Sequence, residues 1–162
     1  MAAPAEIATD VAKRQTTRLV SLWRAYSATG TDHFYTTNRN EYDNAAARLG
    51  YSAEGAVCRI LSSRIDQTVP LYRLYNGAII DHFYTTSAPE RNNAINNLGY
   101  VSEGVTGYIY SQAWHGAVPL YRTYNPTVHD HFYTLSKAER DNAVNALGYS
   151  DEGIAGYVFR LG

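Results

Sequence analysis

Strand-like and helix-like patterns alternate along this chain in short stretches. Pro70 to Asn76 is rich in strand formers and stops at Asn76-Gly77, a turn signal. Asp81 to Thr86 reads as a second, shorter strand, with His82 and Tyr84 on one face and Phe83 and Thr85 on the other. Ser87-Ala88-Pro89-Glu90 then matches the Ser-x-x-Glu start of a helix. Ala94, Ile95 and Leu98 give that helix a narrow apolar stripe, and Gly99 stops it after about two to three turns. Beyond it, Tyr100–Glu103 and Val105–Ser111 read as two further strands separated by a bend at Gly104.

The same pattern occurs three times at a fixed period of 49 residues. Asp-His-Phe-Tyr-Thr stands at Asp32–Thr36, Asp81–Thr85 and Asp130–Thr134, and Leu22, Leu71, Leu120 and Gly50, Gly99, Gly148 keep the register. Asn38–Glu41 and Ser136–Glu139 repeat the helix start. A period this long means one supersecondary unit used three times. The third unit stops at Gly162, before the segment corresponding to Ser63–Pro70 and Gln112–Pro119. Arg14–Ser21 has that segment's length, and Val20 aligns with Val69 and Val118, so it is expected to close the ring beside the C-terminus. Residues 1–13 fall outside the repeat as a short Ala-rich tail. The expectation is one domain over 14–162, with repeats at about 22–70, 71–119 and 120–162. Three units of about four strands each, closed on a pseudo-threefold axis, predict a mainly β fold, a β-trefoil with one short helix per repeat. A propeller typically needs four blades or more, and an open solenoid would need capping repeats.

Composition narrows the function classes. Apolar residues make up 45% and charged residues 18%, enough to bury a core. A net charge of −1 gives no electrostatic reason to expect nucleic acid or an anionic membrane as partner. The single cysteine, Cys58, excludes an intramolecular disulfide framework. No run approaches a membrane span, and Met1–Asp10 lacks the features of a secretory signal. These points favour a cytoplasmic protein, or one released by a non-classical route.

Sixteen positions are the same in all three units. Leu22, Phe34, Ala45 and Leu49, with their copies, read as core; Gly50 and Gly55 as backbone-geometry positions; Glu41, Glu90 and Glu139 as capping-box residues. The polar remainder includes Arg24, Asp32, His33, Tyr35, Asn44 and Glu54 in triplicate. One reading is an internal network, in which Arg24 pairs with Asp32 or Glu54 and ties each hairpin to its helix. The other is three shallow sugar sites, because a carbohydrate needs planar donors and acceptors plus an aromatic face. On that reading the contacts are Asp32, His33, Asp81, His82, Asp130 and His131, with aromatic support from Tyr72, Tyr108, Tyr121 and Tyr157. If those aromatics line the sites, the first unit is the weakest of the three or has a different preference, since Cys58 and Arg59 replace the Gly-Tyr pair of the others. A three-His metal site would need His33, His82 and His131 to reach the axis, and nothing in the spacing places them there. A nucleophile should be unique, whereas every polar group here is triplicated, so neither catalysis nor a cofactor is expected.

The ordered run Pro-Leu-Tyr-Arg-x-Tyr-Asn, Asp-His-Phe-Tyr-Thr, Ser-x-x-Glu-Arg, Leu-Gly-Tyr and Glu-Gly-x-x-Gly-Tyr resembles a His-Phe-Tyr-Thr-type three-repeat family. That family occurs in fungal proteins and as a module on bacterial secreted proteins, largely as a domain of unknown function. The resemblance covers Leu22 to Gly162. In size and repeat number the chain also resembles the fungal β-trefoil lectins, although it lacks the Gln-x-Trp signature of the ricin type. The expected function is a multivalent lectin for glycans or glycoproteins, without membrane insertion and with a homodimer left open. The alternatives are a protein-binding trefoil, such as a protease inhibitor, or a purely structural repeat.

Overall fold

The structure, a computed structural model, describes residues 19–162. The predicted tail, 1–13, and all but the end of the predicted closing segment, 14–21, lie outside the described residues. The first repeat comprises β1 (Leu19–Ser27), β2 (Asp32–Thr36), α1 (Arg39–Arg48) and β3 (Ser52–Leu61). The second is β4 (Thr68–Asn76), β5 (Asp81–Thr85), α2 (Ala88–Asn97) and β6 (Val101–Tyr110). The third is β7 (Val118–Asn125), β8 (Asp130–Thr134), α3 (Lys137–Ala146) and β9 (Ser150–Val158). The protein is mainly β, and among the described residues all strand pairs are antiparallel.

Each repeat has three strands among the described residues where four were predicted. The two segments after each helix form one strand, paired from Tyr75↔Val101 to Thr68↔Tyr110 in the second repeat. Gly104, at φ 91°, sits where the register shifts, so it makes a bulge inside the strand instead of a bend between two. Gly55 and Gly153 do the same in their repeats. The described end of the closing segment, Leu19–Ser21, pairs with β3. First and last repeats meet through an antiparallel bridge between Arg59 and Phe159. With the β3–β6 and β6–β9 pairs, that bridge makes the three long strands neighbours in a cycle.

The central core is built from all three repeats, with Leu22, Leu71 and Leu120 packed around Tyr35, Tyr84 and Tyr133. The short strands β2, β5 and β8 meet here, and they do not pair with one another through their backbones. Tyrosine hydroxyls replace the missing ladder. Tyr84 Oη accepts the Tyr35 N–H at 2.8 Å and donates to the Tyr35 carbonyl at 2.6 Å. Tyr133 does the same for Tyr84, and Tyr35 for Tyr133. Six buried backbone groups that would otherwise lack partners are thereby satisfied.

The repeats also trade volume where the long strands meet. A Cβ at Gly107 would lie 2.5 Å from Ile60 Cδ1, and one at Gly156 would lie 2.4 Å from Ile109 Cδ1. The first repeat has Cys58 at this position, and the smaller Val158 stands where Ile60 and Ile109 stand. The pair Cys–Val thus replaces Gly–Ile, and Cys58 is fully buried, with its thiol pKa pushed up to about 12 by desolvation.

Each helix is capped by Asn38, Ser87 or Ser136, whose side chain accepts the N–H of Glu41, Glu90 or Glu139. The predicted reciprocal half of the capping box is absent. Instead Thr36 Oγ1 accepts the Asn38 N–H and donates to Glu41 Oε1, with the same relay at Thr85 and Thr134. Each glutamate is left to bind elsewhere.

Candidate functional site

The freed glutamates reach across to the next repeat. Arg73, on β4, binds Glu41 of α1 through both terminal nitrogens at 2.8 and 2.9 Å. Its Nε also lies 3.0 Å from Glu103 Oε1, close enough for an ion pair although not aligned as a hydrogen bond. Arg122 bridges Glu90 and Glu152, and Arg24 bridges Glu139 and Glu54. The bulge at Gly55, Gly104 or Gly153 turns its preceding glutamate onto the arginine. Arginine therefore ties each repeat to the preceding repeat's helix, not to its own, and Arg24 pairs with Glu54 but not with Asp32. Burial pushes the pKa of Glu41, Glu90 and Glu139 up, but the arginine and threonine hydrogen bonds outweigh it and leave all three lowered.

Histidine follows the same rule. The His82 backbone N–H donates to Asp32 Oδ1 at 2.9 Å, and its Nδ1 lies 2.6 Å from Asp32 Oδ2. An ionised carboxylate only accepts, so Nδ1 carries the proton. His131 binds Asp81 and His33 binds Asp130 in the same way. Tyr51 and Tyr100 donate to Asp32 and Asp81 at 2.5 Å, and Tyr149 donates to Asp130. The His82 Nε2 faces Glu103 Oε1 at 3.4 Å. Burial opposes the charge on His82, but its bonds to Asp32 and Glu103 prevail and raise its pKa to about 9.

These bonds correct the predicted contact set. Asp32, Asp81 and Asp130 are 0% exposed, so none can touch a glycan. Their carboxylates converge on the axis, with one oxygen of each within 4.8 Å of the others. The aspartates, not His33, His82 and His131, form the cluster on the axis. The predicted aromatics lie elsewhere. Tyr72 and Tyr121 pack under Arg91 and Arg140 of their own repeats' helices, at 4.2 and 4.5 Å. Tyr108 and Tyr157 sit on β6 and β9 at the long-strand junction, paired with Leu61 and Tyr110.

What the sequence did not separate is the seam between repeats. Each seam holds a cleft: about 790 Å³ between the first and second repeats, 360 Å³ between the second and third, and 460 Å³ between the third and first. In the first, Arg73, Tyr75, His82 and Glu103 of one repeat face Phe34, Glu41, Asn44, Leu49 and Tyr51 of the other. The same set lines the other two, with Arg122, Tyr124, His131 and Glu152 against Phe83, Glu90, Asn93 and Leu98 in the second. In the third, Arg24, Tyr26, His33 and Glu54 face Phe132, Glu139, Asn142 and Leu147. Each histidine is held between its own tyrosine and the neighbour's phenylalanine, at 4.5 and 4.9 Å for Tyr75, His82 and Phe34.

Two residues at each cleft mouth lie outside the predicted contact set. Leu49, Leu98 and Leu147 were expected in the core, yet they are 60%, 55% and 56% exposed. Asn44, Asn93 and Asn142 are exposed on the helices, at an interior position where asparagine is a poor helix former. Triplication was the available signal for Asn44 and for Tyr26, Tyr75 and Tyr124. Exposure was not legible.

Fold and seams together define a three-repeat, mainly β protein with one mixed polar and aromatic cleft per junction. The chain belongs to the family described as a domain of unknown function, DUF5648, whose model matches residues 21–159. No curated protein and no solved structure matches it. Among the described residues, no helix is long and apolar enough to cross a membrane.

Proposed function

We propose that this protein is a non-catalytic, multivalent carbohydrate-binding protein whose three sites are the inter-repeat clefts. The observation that carries this reading is the mouth of each cleft, where an exposed leucine and an exposed asparagine recur three times without serving the core. Large exposed apolar side chains repeated beside planar amide and carboxylate groups suit a ligand with a C–H face and a rim of hydroxyls. Glu54, Glu103 and Glu152 offer acceptors held in place by arginine, and Tyr26, Tyr75 and Tyr124 offer rings fixed against histidine. The contact set therefore moves from Asp and the outer tyrosines to Asn, Leu, Glu and the cleft tyrosines, with the histidines as supports. Cleft volumes of this size fall in the usual range for small-molecule sites.

We further infer that the architecture is a β-trefoil variant in which two of each unit's four strands have fused across the glycine bulge. The cyclic meeting of the long strands supports this. Single sites are expected to bind on the order of millimolar to tens of micromolar, with avidity supplying the rest on multivalent glycans. A glycan array probed with the purified protein tests the function. Binding to multivalent glycans, lost in a folded Asn44→Ala, Asn93→Ala, Asn142→Ala variant, is the expected result. Binding to no glycan overturns the proposal.

A further inference from the structure

We propose that the three clefts differ in ligand length: the cleft between the first and second repeats takes an oligosaccharide chain, and the other two take a single terminal ring. This rests on the glycan reading above and deepens it. The difference lies in the turn between the first two strands of each repeat. Asn76 Nδ2 donates to the Leu98 carbonyl at 3.0 Å while its Oδ1 accepts the Ala78 N–H at 3.0 Å. Asn125 makes the same two bonds, to the Leu147 carbonyl and from the Thr127 N–H. These asparagines tie turn to helix end, and Asn125 also lines its cleft.

The first repeat has Ser27 at this position. A serine is too short to span to the helix end, and its hydroxyl instead accepts the Gly30 N–H at 3.0 Å. Three residues on, Gly30 replaces Ile79 and Val128, each of which lines its own cleft. The backbone does not demand a glycine there, because Gly30 is not among the positive-φ residues. A Cβ there would lie 3.0 Å from Ile80 Cγ2 and 3.2 Å from Ser27 Oγ, so Ile80 of the second repeat packs directly against this glycine. The turn that carries the smaller Ser27 and Gly30 borders a cleft of about 790 Å³, and the turns that carry Ile79 and Val128 border clefts of 360 and 460 Å³. The added space is lined by the Ser27 and Thr29 hydroxyls and by Ile80, again hydroxyl-binding groups beside an apolar face.

Calorimetric titration of the full chain with mannose, galactose, N-acetylglucosamine, fucose and sialic acid, and with linear trisaccharides ending in each, tests this. For a sugar that binds, the monosaccharide is expected to fill three sites, and its trisaccharide to show one site roughly tenfold tighter. The Ser27→Asn, Gly30→Val variant, which copies the third repeat, is expected to lose that tighter site and keep monosaccharide binding, which also reports that it folds. The Asn125→Ser, Val128→Gly variant is expected to gain a second tight site. A trisaccharide that binds all three clefts equally, or a tight site that survives Ser27→Asn, Gly30→Val, overturns the inference while leaving the glycan reading standing. Absence of binding by every sugar overturns both.

Discussion

The axis and the cleft mouths are equally repetitive, yet their side chains do opposite things. At the axis, Asp32, Tyr35 and their copies are buried and spend their polar atoms on neighbouring protein groups. At the mouths, Asn44 in the helix, Leu49 at its end and their copies are exposed. Identity among repeats therefore marks two different constraints. One is the closure of a ring, in which every junction must present the same partners. The other is a repeated surface, which ring closure does not require.

Closure is directional. Tyr84, His82 and Arg73 of the second repeat reach back to Tyr35, Asp32 and Glu41 of the first, and Tyr35, His33 and Arg24 reach back to the third. The axis should thus yield large stability effects and the mouths small ones. Tyr84→Phe removes the hydroxyl that serves both the N–H and carbonyl of Tyr35, both buried. A loss of about 2–5 kcal/mol is expected, read from chemical denaturation. A loss below that of a typical surface substitution would show that the hydroxyl ring does not hold the short strands together.

Gly107→Ala tests the junction of the long strands, where the new methyl group would meet Ile60 Cδ1 at 2.5 Å and the Leu61 carbonyl at 2.9 Å. Overpacking there should cost about 1–3 kcal/mol. Adding Ile60→Val, the residue type found at 158, should recover part of that cost, as it accommodates Cys58 in the first repeat.

His82 gives a pH dependence. The His82 pKa rises from 6.5 to about 9 in the folded chain. Below pH 6.5 both folded and unfolded forms are protonated, so the stabilisation is fully present. It is lost as pH rises through about 9, where the folded imidazolium gives up its proton. The denaturation midpoint should therefore fall between pH 6.5 and 9. Asp32→Asn should lower the midpoint at pH 6 and flatten that decline, because the carboxylate that holds the charge is gone. A decline of unchanged steepness in that variant would separate His82 from the effect.

The smallest stability change is expected at the mouths. Asn44→Ala and Leu49→Ser should each stay within about 0.5 kcal/mol of the parent, and together weaken glycan binding at the first cleft. A folded double variant that binds all glycans as before would remove the mouth from the site.

Much of this fold was legible in one dimension. The period follows from the chain's similarity to itself, and the helix starts at Asn38, Ser87 and Ser136 and the strand character of Asp-His-Phe-Tyr-Thr from local residue preferences, which act over a few residues. The single long strand after each helix was misread because a glycine at positive φ serves a bend and a bulge equally well. Leu49 was misread because apolar periodicity reports a helix face, not what covers it.

The sequence by itself determined that one unit is used three times and which residues every unit must share. Only the tertiary structure decided which repeat each shared residue serves. Asp32 and Glu41 are partners of the second repeat, because ring closure brings β4 and β5 against α1 and β2 of the preceding unit. A residue's neighbours across a seam lie 32 to 50 positions away in the chain, or about a hundred at the closing junction. Local pattern carries no information at that range, so the clefts at those seams came into view only once the ring was closed.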